Sequence, residues 1–280
     1  MYLHDDHSDV LKIFPPKGPL VTVSLPFFLV GPARFGSDGR SMYGIVADRK
    51  STVRPNHAGI SKIEFDPIRA TLMPGTSEFA IKSFAISSRQ DKLVISGRVQ
   101  SSGARRCGVF AVDIPAGNVK QILIGECRDE WSWDYLSLSP NGDRAVASHD
   151  RHLELIDLVQ GTTRSLGSEF DVGSWSPDGK WIAVRESGNR DRLFLIDAAN
   201  LSRRHSLGAA VVIMPEWSPD SRYLLLWKGY IFRCGFYLDV DAPATLETLD
   251  IQTGKRSTIK SSRCQITNGE TGWVSSEIAR

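Results

Sequence analysis

The sequence lacks several features that would assign it to a class at once. Its most apolar stretch, residues 19–33, is shorter than a bilayer span and is interrupted by Pro26 and Pro32, so we expect strands there and no membrane span. Lys and Arg total 34 against 32 Asp and Glu, without a long run of one sign, so we expect no nucleic-acid partner. A hydrophobic fraction of 41% still predicts a buried core.

Cysteine is also scarce. Cys107, Cys127, Cys234 and Cys264 form no CxxC pair, and neither they nor the six scattered histidines have the spacing of a metal site, so we predict no metal and no cofactor. Cys107 and Cys127 lie almost symmetrically about residues 116–117 and would face each other across a hairpin. The sequence leaves open a disulfide between them, if the protein is exported, and four buried thiols that pack as small apolar residues.

An export signal is missing as well. Residues 1–7 do not show the basic and then apolar pattern of a leader, so the expectation is a cytoplasmic protein, unless a leader has been removed. No Gly-x-Ser-x-Gly elbow is present, and an α/β-hydrolase domain would need roughly 200 further residues.

What the sequence does contain is an internal repeat. Residues 175–184, beginning Trp-Ser-Pro-Asp-Gly-Lys, align without gaps to residues 217–226, and weaker copies begin at Phe35, Ile86 and Leu138. The five apolar anchors are separated by 51, 52, 37 and 42 residues. This spacing brackets the period of roughly 40–50 residues that is typical of propeller blades. An apolar residue followed by Asp recurs downstream in each copy: Phe65-Asp66, Val112-Asp113, Ile156-Asp157, Ile196-Asp197 and Leu249-Asp250.

The local pattern favours strands over helices. Each anchor precedes a turn in which Pro presets φ and Gly tolerates positive φ, and an apolar run such as residues 181–184 then resumes. The Asp landmark leads into a second turn, where its carboxylate can accept backbone N–H bonds. Four strands per copy and almost no helical periodicity predict an all-β fold, a β-propeller of four-stranded antiparallel blades.

The two ends complement each other in this scheme. Residues 11–23 resemble an outer hairpin, and residues 272–276 resemble an inner strand, so we predict a sixth blade shared between the termini. The prediction is one domain over 1–280, with repeats at approximately 26–75, 80–126, 131–167, 170–208 and 211–262, and a closing blade from 1–25 plus 263–280.

The anchor motif and the apolar-Asp landmark together resemble the TolB-like group of bacterial propellers, part of the WD40-like repeat proteins, over roughly residues 20–260. They also resemble the propeller domain of dipeptidyl peptidase IV-like proteins, although the hydrolase domain is missing. The resemblance implies a rigid disc with loops on two faces and a central channel, and a periplasmic location if a leader was removed. TolB uses this disc to hold partner proteins, so the resemblance implies that the chain binds a protein or peptide. We expect a monomer.

The leading hypothesis is therefore a non-catalytic scaffold that binds its partner through one face. One alternative is a propeller enzyme, a hydrolase or lyase acting on a sugar or lactone at the channel mouth. Another is a fragment or regulatory domain of a larger protein. We assign no catalytic residue, and the enzyme question stays open because such sites, gathered from several blades, leave no local motif.

The candidate binding residues lie where the sequence departs from the minimal repeat. Trp131 falls outside the anchor register, whereas Trp175 and Trp217 occupy it and should pack between blades. Arg190 lies in one loop, and Tyr230, Arg233 and Tyr237 lie in the long segment from 228 to 243. Such insertions map to one face of a propeller, where partners bind, but they also occur as tolerated loop variation.

Overall fold

The structure, a computed structural model, describes residues 2–4, 8–13, 21–36, 38, 40–47, 59–101, 104–125, 133–149, 152–186, 192–209, 215–228, 243–263 and 270–272. The regular structure of these residues is β-strand. The described part of the chain contains no helix with the length and apolar character needed to cross a bilayer.

The described strands form five antiparallel sheets, one with seven strands and four with four. The first sheet contains β1 (Tyr2–His4), β2 (Ser8–Ile13), β3 (Val21–Phe35), β4 (Ser41–Ala47), β5 (Ser61–Phe65), β6 (Ile68–Leu72) and β23 (Glu270–Gly272), of which β3 to β6 are blade 1. Blade 2 contains β7 (Phe79–Ile86), β8 (Lys92–Ser101), β9 (Ala104–Asp113) and β10 (Val119–Gly125). Blade 3 contains β11 (Trp133–Leu138), β12 (Arg144–His149), β13 (His152–Asp157) and β14 (Thr162–Gly167). Blade 4 contains β15 (Phe170–Trp175), β16 (Trp181–Glu186), β17 (Arg192–Asp197) and β18 (Arg204–Ala209). Blade 5 contains β19 (Glu216–Trp217), β20 (Tyr223–Lys228), β21 (Pro243–Asp250) and β22 (Arg256–Arg263).

The predicted propeller of four-stranded antiparallel blades is confirmed, but the prediction of six blades is wrong: the described strands form five. Strands from the two ends do pair, β1 with β23 and β1 with β2, yet they belong to the first sheet. The reason is β3, which continues for 15 residues. Its first half pairs with β2 and its second half with β4, with an irregularity in the register, so no break separates the terminal strands from blade 1.

The Ser-Pro turns of blades 3, 4 and 5 explain why the first hairpin of each of these blades forms. In blade 4 the Ser176 hydroxyl donates to Asp178 Oδ1 and accepts the backbone N–H of Trp181 at 2.9 Å. Blade 5 repeats the arrangement with Ser218, which bonds Asp220 and Tyr223 in the same way. In blade 3, where the turn has no Asp at the third position, Ser139 bonds Asp143 instead, at 3.1 Å. The serine thus closes each of these turns through its side chain.

In blades 3, 4 and 5 the Asp landmark performs the function that the sequence predicts. Asp197 Oδ1 accepts the N–H groups of Ala199 and Asn200 at 2.9 and 3.2 Å. Asp157 and Asp250 accept two N–H groups each in the corresponding turns of blades 3 and 5. The recurrence of this residue therefore has a structural cause, the closure of the outer hairpin.

The core lies in layers between neighbouring blades. On β16, Ile182 and Val184 pack in a cluster with residues of blade 3, whereas Ala183 packs in a cluster with residues of blade 5. Because alternate side chains of a strand point to opposite faces, an inner strand covered on both sides needs apolar residues at every position. This requirement explains the uninterrupted apolar runs after each Ser-Pro turn.

Candidate binding site at the channel mouth

The first strands of the blades surround the central axis. Strand β7 contacts β3 and β11, β15 contacts β11 and β19, and β23 contacts β19 and β3, so the described innermost strands form a closed ring. Each blade then runs outward to its fourth strand, which lies at the rim. Because antiparallel strands alternate in direction, every Ser-Pro turn lies on one face of the disc and on the same face as the turns closed by the Asp landmark.

A concave mouth of about 220 Å³ opens on this face, and all five blades line it. Its walls carry the repeat anchors Phe35, Ile86, Leu138, Trp175 and Trp217. The residue before each anchor also lines it, and these five residues are Arg34, Ala85, Ser137, Ser174 and Glu216. The rest of the lining comes from Leu136 on β11 and from the turns, including Ser87, Ser88, Pro177 and Pro219. The mouth therefore combines large apolar groups with hydroxyls and one charge of each sign.

Hydrogen bonds between blades hold the strands at the mouth in place. The Ser83 hydroxyl accepts the N–H of Leu136 at 3.1 Å, which joins blade 2 to blade 3. The Ser137 hydroxyl accepts the N–H of Trp175 at 2.9 Å, which joins blade 3 to blade 4. Ser174 donates its hydroxyl to the carbonyl of Pro215 and so joins blade 4 to blade 5. Because these bonds are made between buried or half-buried groups, they fix the shape of the mouth.

The two anchor tryptophans are confirmed to pack between blades, as the sequence predicts, but their indole N–H groups differ. The indole of Trp217 donates to the Ser174 carbonyl at 3.2 Å, across the seam between blades 4 and 5. The Nε1 atom of Trp175 is buried and has no hydrogen-bond partner among the described residues. Both side chains are almost equally buried, 7% and 8% exposed. The difference therefore lies in the seam that each one fills, not in its burial.

A polar network closes the seam between blades 1 and 2 beside the mouth. The Tyr43 hydroxyl donates to Gln90 Oε1 at 2.6 Å. Burial raises the pKa of Asp38, but hydrogen bonds from Gln90, from the N–H groups of Arg40 and Ser41 and from the Ser41 hydroxyl lower it by more, so that the net pKa is below its usual value. Burial also raises the pKa of Tyr43. Asp38 is therefore an anion held by neutral donors at this edge of the mouth.

The binding residues predicted from the sequence, Trp131, Arg190, Tyr230, Arg233 and Tyr237, lie outside the described residues. The described strand ends that border their segments are Gly125 and Trp133, Glu186 and Arg192, and Lys228 and Pro243. By the alternation of strand direction, these ends lie on the face opposite the Ser-Pro turns. The described part of the chain therefore does not test these five residues, and their role stays a prediction.

Cys107 lies on β9, buried and directly opposite Gly125 of β10, and it forms a disulfide. The hairpin that the sequence predicts between these strands is present. Cys127, Cys234 and Cys264 lie outside the described residues, so the pairing of Cys107 with Cys127 stays a prediction. Within the described residues, no group of three or more His, Cys, Asp or Glu side chains is placed to hold a metal ion.

Sequence reasoning missed the residues that precede the anchors. The alignment of the repeats could have located them, because each stands one position before an aligned Phe, Ile, Leu or Trp. The signal was hard to read since the five residue types share no property. Only the convergence of five strands on one axis shows that Arg34, Ala85, Ser137, Ser174 and Glu216 line the same mouth.

No protein-family model matches the sequence, and no curated protein matches it at a significant level. Among solved structures, TolB from Acinetobacter baumannii is similar with a TM-score of 0.67 and 14% identity, over 98% of this chain and 65% of that one. A putative TolB from Agrobacterium tumefaciens is similar with a TM-score of 0.61 and 13% identity, over 88% and 85%. An oligogalacturonate lyase in complex with manganese is similar with a TM-score of 0.56 and 12% identity, over 84% and 64%.

The chain thus spans 65% of the length of the Acinetobacter protein and 64% of the lyase. At identities of 12–14% these likenesses show the fold. With the five blades and their turns, they establish that the chain folds as a TolB-like β-propeller.

Proposed function

We propose that this propeller is a binding module that holds a protein partner by one anchor side chain inserted into the channel mouth. The observation that carries the proposal is the size and lining of the mouth. Its volume of about 220 Å³ is smaller than the roughly 300–1,000 Å³ of most small-molecule sites. An apolar wall formed by Phe35, Trp175 and Trp217 suits a large apolar side chain from a protein surface.

The polar part of the lining supports the same proposal. Ser137 and Ser174 already use their hydroxyls in bonds between blades, so they contribute a fixed rim instead of adaptable contacts. Arg34 and Glu216 bring opposite charges to the lining, which suits a polar rim around a buried anchor. A rigid mouth loses little conformational entropy when a partner binds, and this favours a preformed protein-binding surface. The binding of protein partners by TolB is consistent with the proposal, but the fold likeness does not carry it.

The test blocks the mouth from an exposed position. Ser88 lies in the turn after β7, lines the mouth and is exposed, so Ser88→Trp would place an indole over the opening. Arg89 is the next residue of the same turn, is exposed and is not part of the lining, so Arg89→Trp is the matched control. Both substitutions are compatible with the central positions of a common turn.

Immobilised wild-type protein, Ser88→Trp and Arg89→Trp are incubated with extract of the source cells, and bound proteins are identified by mass spectrometry. We expect the wild type and Arg89→Trp to retain the same partner and Ser88→Trp to lose it. Equal retention by all three would place the partner on another surface. Turnover of a sugar or lactone substrate that Ser88→Trp abolishes would instead favour an enzyme.

A further inference from the structure

The position four residues after the repeat anchor has a left-handed backbone in the first turns of blades 2 to 5. Gly142 of blade 3 and Gly179 of blade 4 have φ of +71° and +74° there. At the same position blade 2 has Gln90, with φ of +56°, and blade 5 has Ser221, with φ of +58°. A side chain makes this conformation less favourable than it is for glycine. Two of these four turns therefore carry backbone strain that the other two avoid.

Ser221 uses its side chain to link its turn to the turn of blade 4. Its hydroxyl accepts the backbone N–H of Asp178 at 2.9 Å, and the residue is buried. Both turns line the mouth, through Pro177 in blade 4 and Pro219 in blade 5. Asp178 follows Pro177 directly, so the bond holds two segments of the lining at a fixed separation. A glycine at position 221 could not make it.

Gln90 links the turns of blades 1 and 2 in the same way. Its Oε1 atom accepts the Tyr43 hydroxyl at 2.6 Å, and its side-chain amide donates to Asp38. Its Nε2 atom also lies against Gly36, where an added Cβ would come within 2.8 Å of it. Gly36 lines the mouth from blade 1, and Ser88 lines it from the turn that contains Gln90. We call the bonds of Gln90 and Ser221 the turn links.

The turn of blade 3 has no such link. Gly142 has no side chain, and the side-chain bonds from Ser139 and Asn141 to Asp143 stay within the turn. No hydrogen bond between described residues joins 139–143 to another blade. This turn is also the one that does not line the mouth, because blade 3 contributes to the lining only through residues 136–138 of β11. The turn links therefore coincide with the turns that form the mouth.

We propose that Gln90 and Ser221 are positioning residues, which hold the walls of the mouth at a fixed separation before the partner binds. This inference rests on the proposed function and names the residues that preorganise its site. Strained backbone persists where the surrounding structure fixes it, and it clusters at binding sites. Walls that are fixed in advance save the entropy of ordering them on binding. The strain at the two residues is thus accepted in exchange for a preformed mouth.

The turn links are tested on the free protein by amide hydrogen exchange, followed by NMR. One N–H group can be compared in all four turns, because the left-handed residue donates to the carbonyl of the serine three positions before it, at 2.8–2.9 Å. We expect protection factors at Gln90, Gly179 and Ser221 about tenfold above the one at Gly142, since opening a linked turn also breaks the link.

Alanine variants keep the strain and remove the links. Ser221→Ala should lower the protection at Gly179 toward the value at Gly142, and Gln90→Ala should lower it at position 90. Arg89→Ala is the matched control, because Arg89 lies in the same turn as Gln90, is exposed and makes no link. Equal protection in all four turns of the wild type, or unchanged protection in both alanine variants, would overturn the inference.

The positioning role is tested with the protein that the wild type retains in the pull-down described above. Gln90→Gly and Ser221→Gly remove each link together with its strain, so their urea midpoints should stay close to that of the wild type. We expect the affinity for the captured protein to fall about fivefold in each glycine variant and to stay unchanged in Arg89→Gly. A purely structural role would lower the midpoints and leave the affinity of the folded protein unchanged.

The outcomes separate this inference from the proposed function. Loss of the captured protein by Ser88→Trp, with unchanged affinity in both glycine variants, would refute the positioning role and leave the proposed function standing. Retention of the captured protein by Ser88→Trp would refute the proposed function and the positioning role with it. The exchange measurement on the free protein would still decide whether the turn links hold the turns.

Discussion

Replacing each anchor tryptophan by phenylalanine separates the hydrogen bond of one from the packing of both. Trp217→Phe and Trp175→Phe remove the same atoms from equivalent positions of the repeat, at 7% and 8% exposure. The loss of apolar contacts is therefore similar in the two variants. Only Trp217→Phe breaks a hydrogen bond, the one to the Ser174 carbonyl, whereas Trp175→Phe removes an N–H group that has no partner in the described part of the chain.

The expected difference in the free energy of unfolding follows from these two terms. The lost bond in Trp217→Phe costs about 1 kcal/mol, and removal of the unpaired donor in Trp175→Phe relieves about 1 kcal/mol or more. Trp217→Phe should therefore be less stable than Trp175→Phe by about 2 kcal/mol. At a urea m-value of about 3 kcal/mol/M, the unfolding midpoints would differ by roughly 0.7 M.

The assay is urea unfolding followed by far-ultraviolet circular dichroism, which does not depend on tryptophan emission. Both variants are measured in the same buffer at the same protein concentration. Equal midpoints, or a lower midpoint for Trp175→Phe, would refute the assignment of one satisfied and one unsatisfied indole.

Three further outcomes follow from single sites. Burial raises the pKa of Asp250, but hydrogen bonds from Arg222 and from the N–H groups of Thr253 and Gln252 lower it by more. The stability that this carboxylate confers is thus present above the unfolded-state pKa of about 3.9 and is lost as the pH falls. The free energies of unfolding of the wild type and of Asp250→Asn should therefore converge as the pH is lowered. A difference that stays constant with pH would contradict this. Gly75 and Gly254 have φ of +74° and +70°, but a Cβ at Gly75 would lie 2.3 Å from the Gly117 carbonyl oxygen, whereas none would be crowded at Gly254. In thermal unfolding, Gly254→Ala should lower the free energy of unfolding by about 1 kcal/mol, and Gly75→Ala should lower it clearly more. Similar losses in the two variants would show that blades 1 and 2 do not meet at Gly75. Peptide mapping without reductant should yield a Cys107–Cys127 peptide, whose reduction costs about 3 kcal/mol of stability, and a different partner for Cys107 would disprove the pairing.

The sequence was sufficient for the fold because its signals are local. The serine of each Ser-Pro turn and the Asp of each outer turn bond groups within five residues of themselves, so their recurrence could be interpreted without a structure. The blade count depends on whether β3 breaks, and nothing in residues 21–35 marks the point where a strand must end. Whether a strand continues while its pairing partner changes is decided by tertiary contacts and not by its own residues.

The candidate sites could be predicted only in part. Trp175 and Trp217 are followed by the same Ser-Pro-Asp sequence, yet one indole is satisfied and the other is not. That difference arises from how neighbouring blades meet, which involves residues about forty positions apart. The residues that the sequence singled out, such as Trp131 and Tyr230, stand in departures from the repeat and lie outside the described part of the chain.

Amide hydrogen exchange on the complex with the captured partner tests the central claim most directly. The account predicts slower exchange on binding in the segments 86–88, 174–177 and 216–219, which supply lining residues from three blades. The turn at residues 158–161 of blade 3, which lies outside the lining, should be unchanged. Protection confined to segments that border the opposite face, with no change at the three mouth segments, would contradict binding through the mouth.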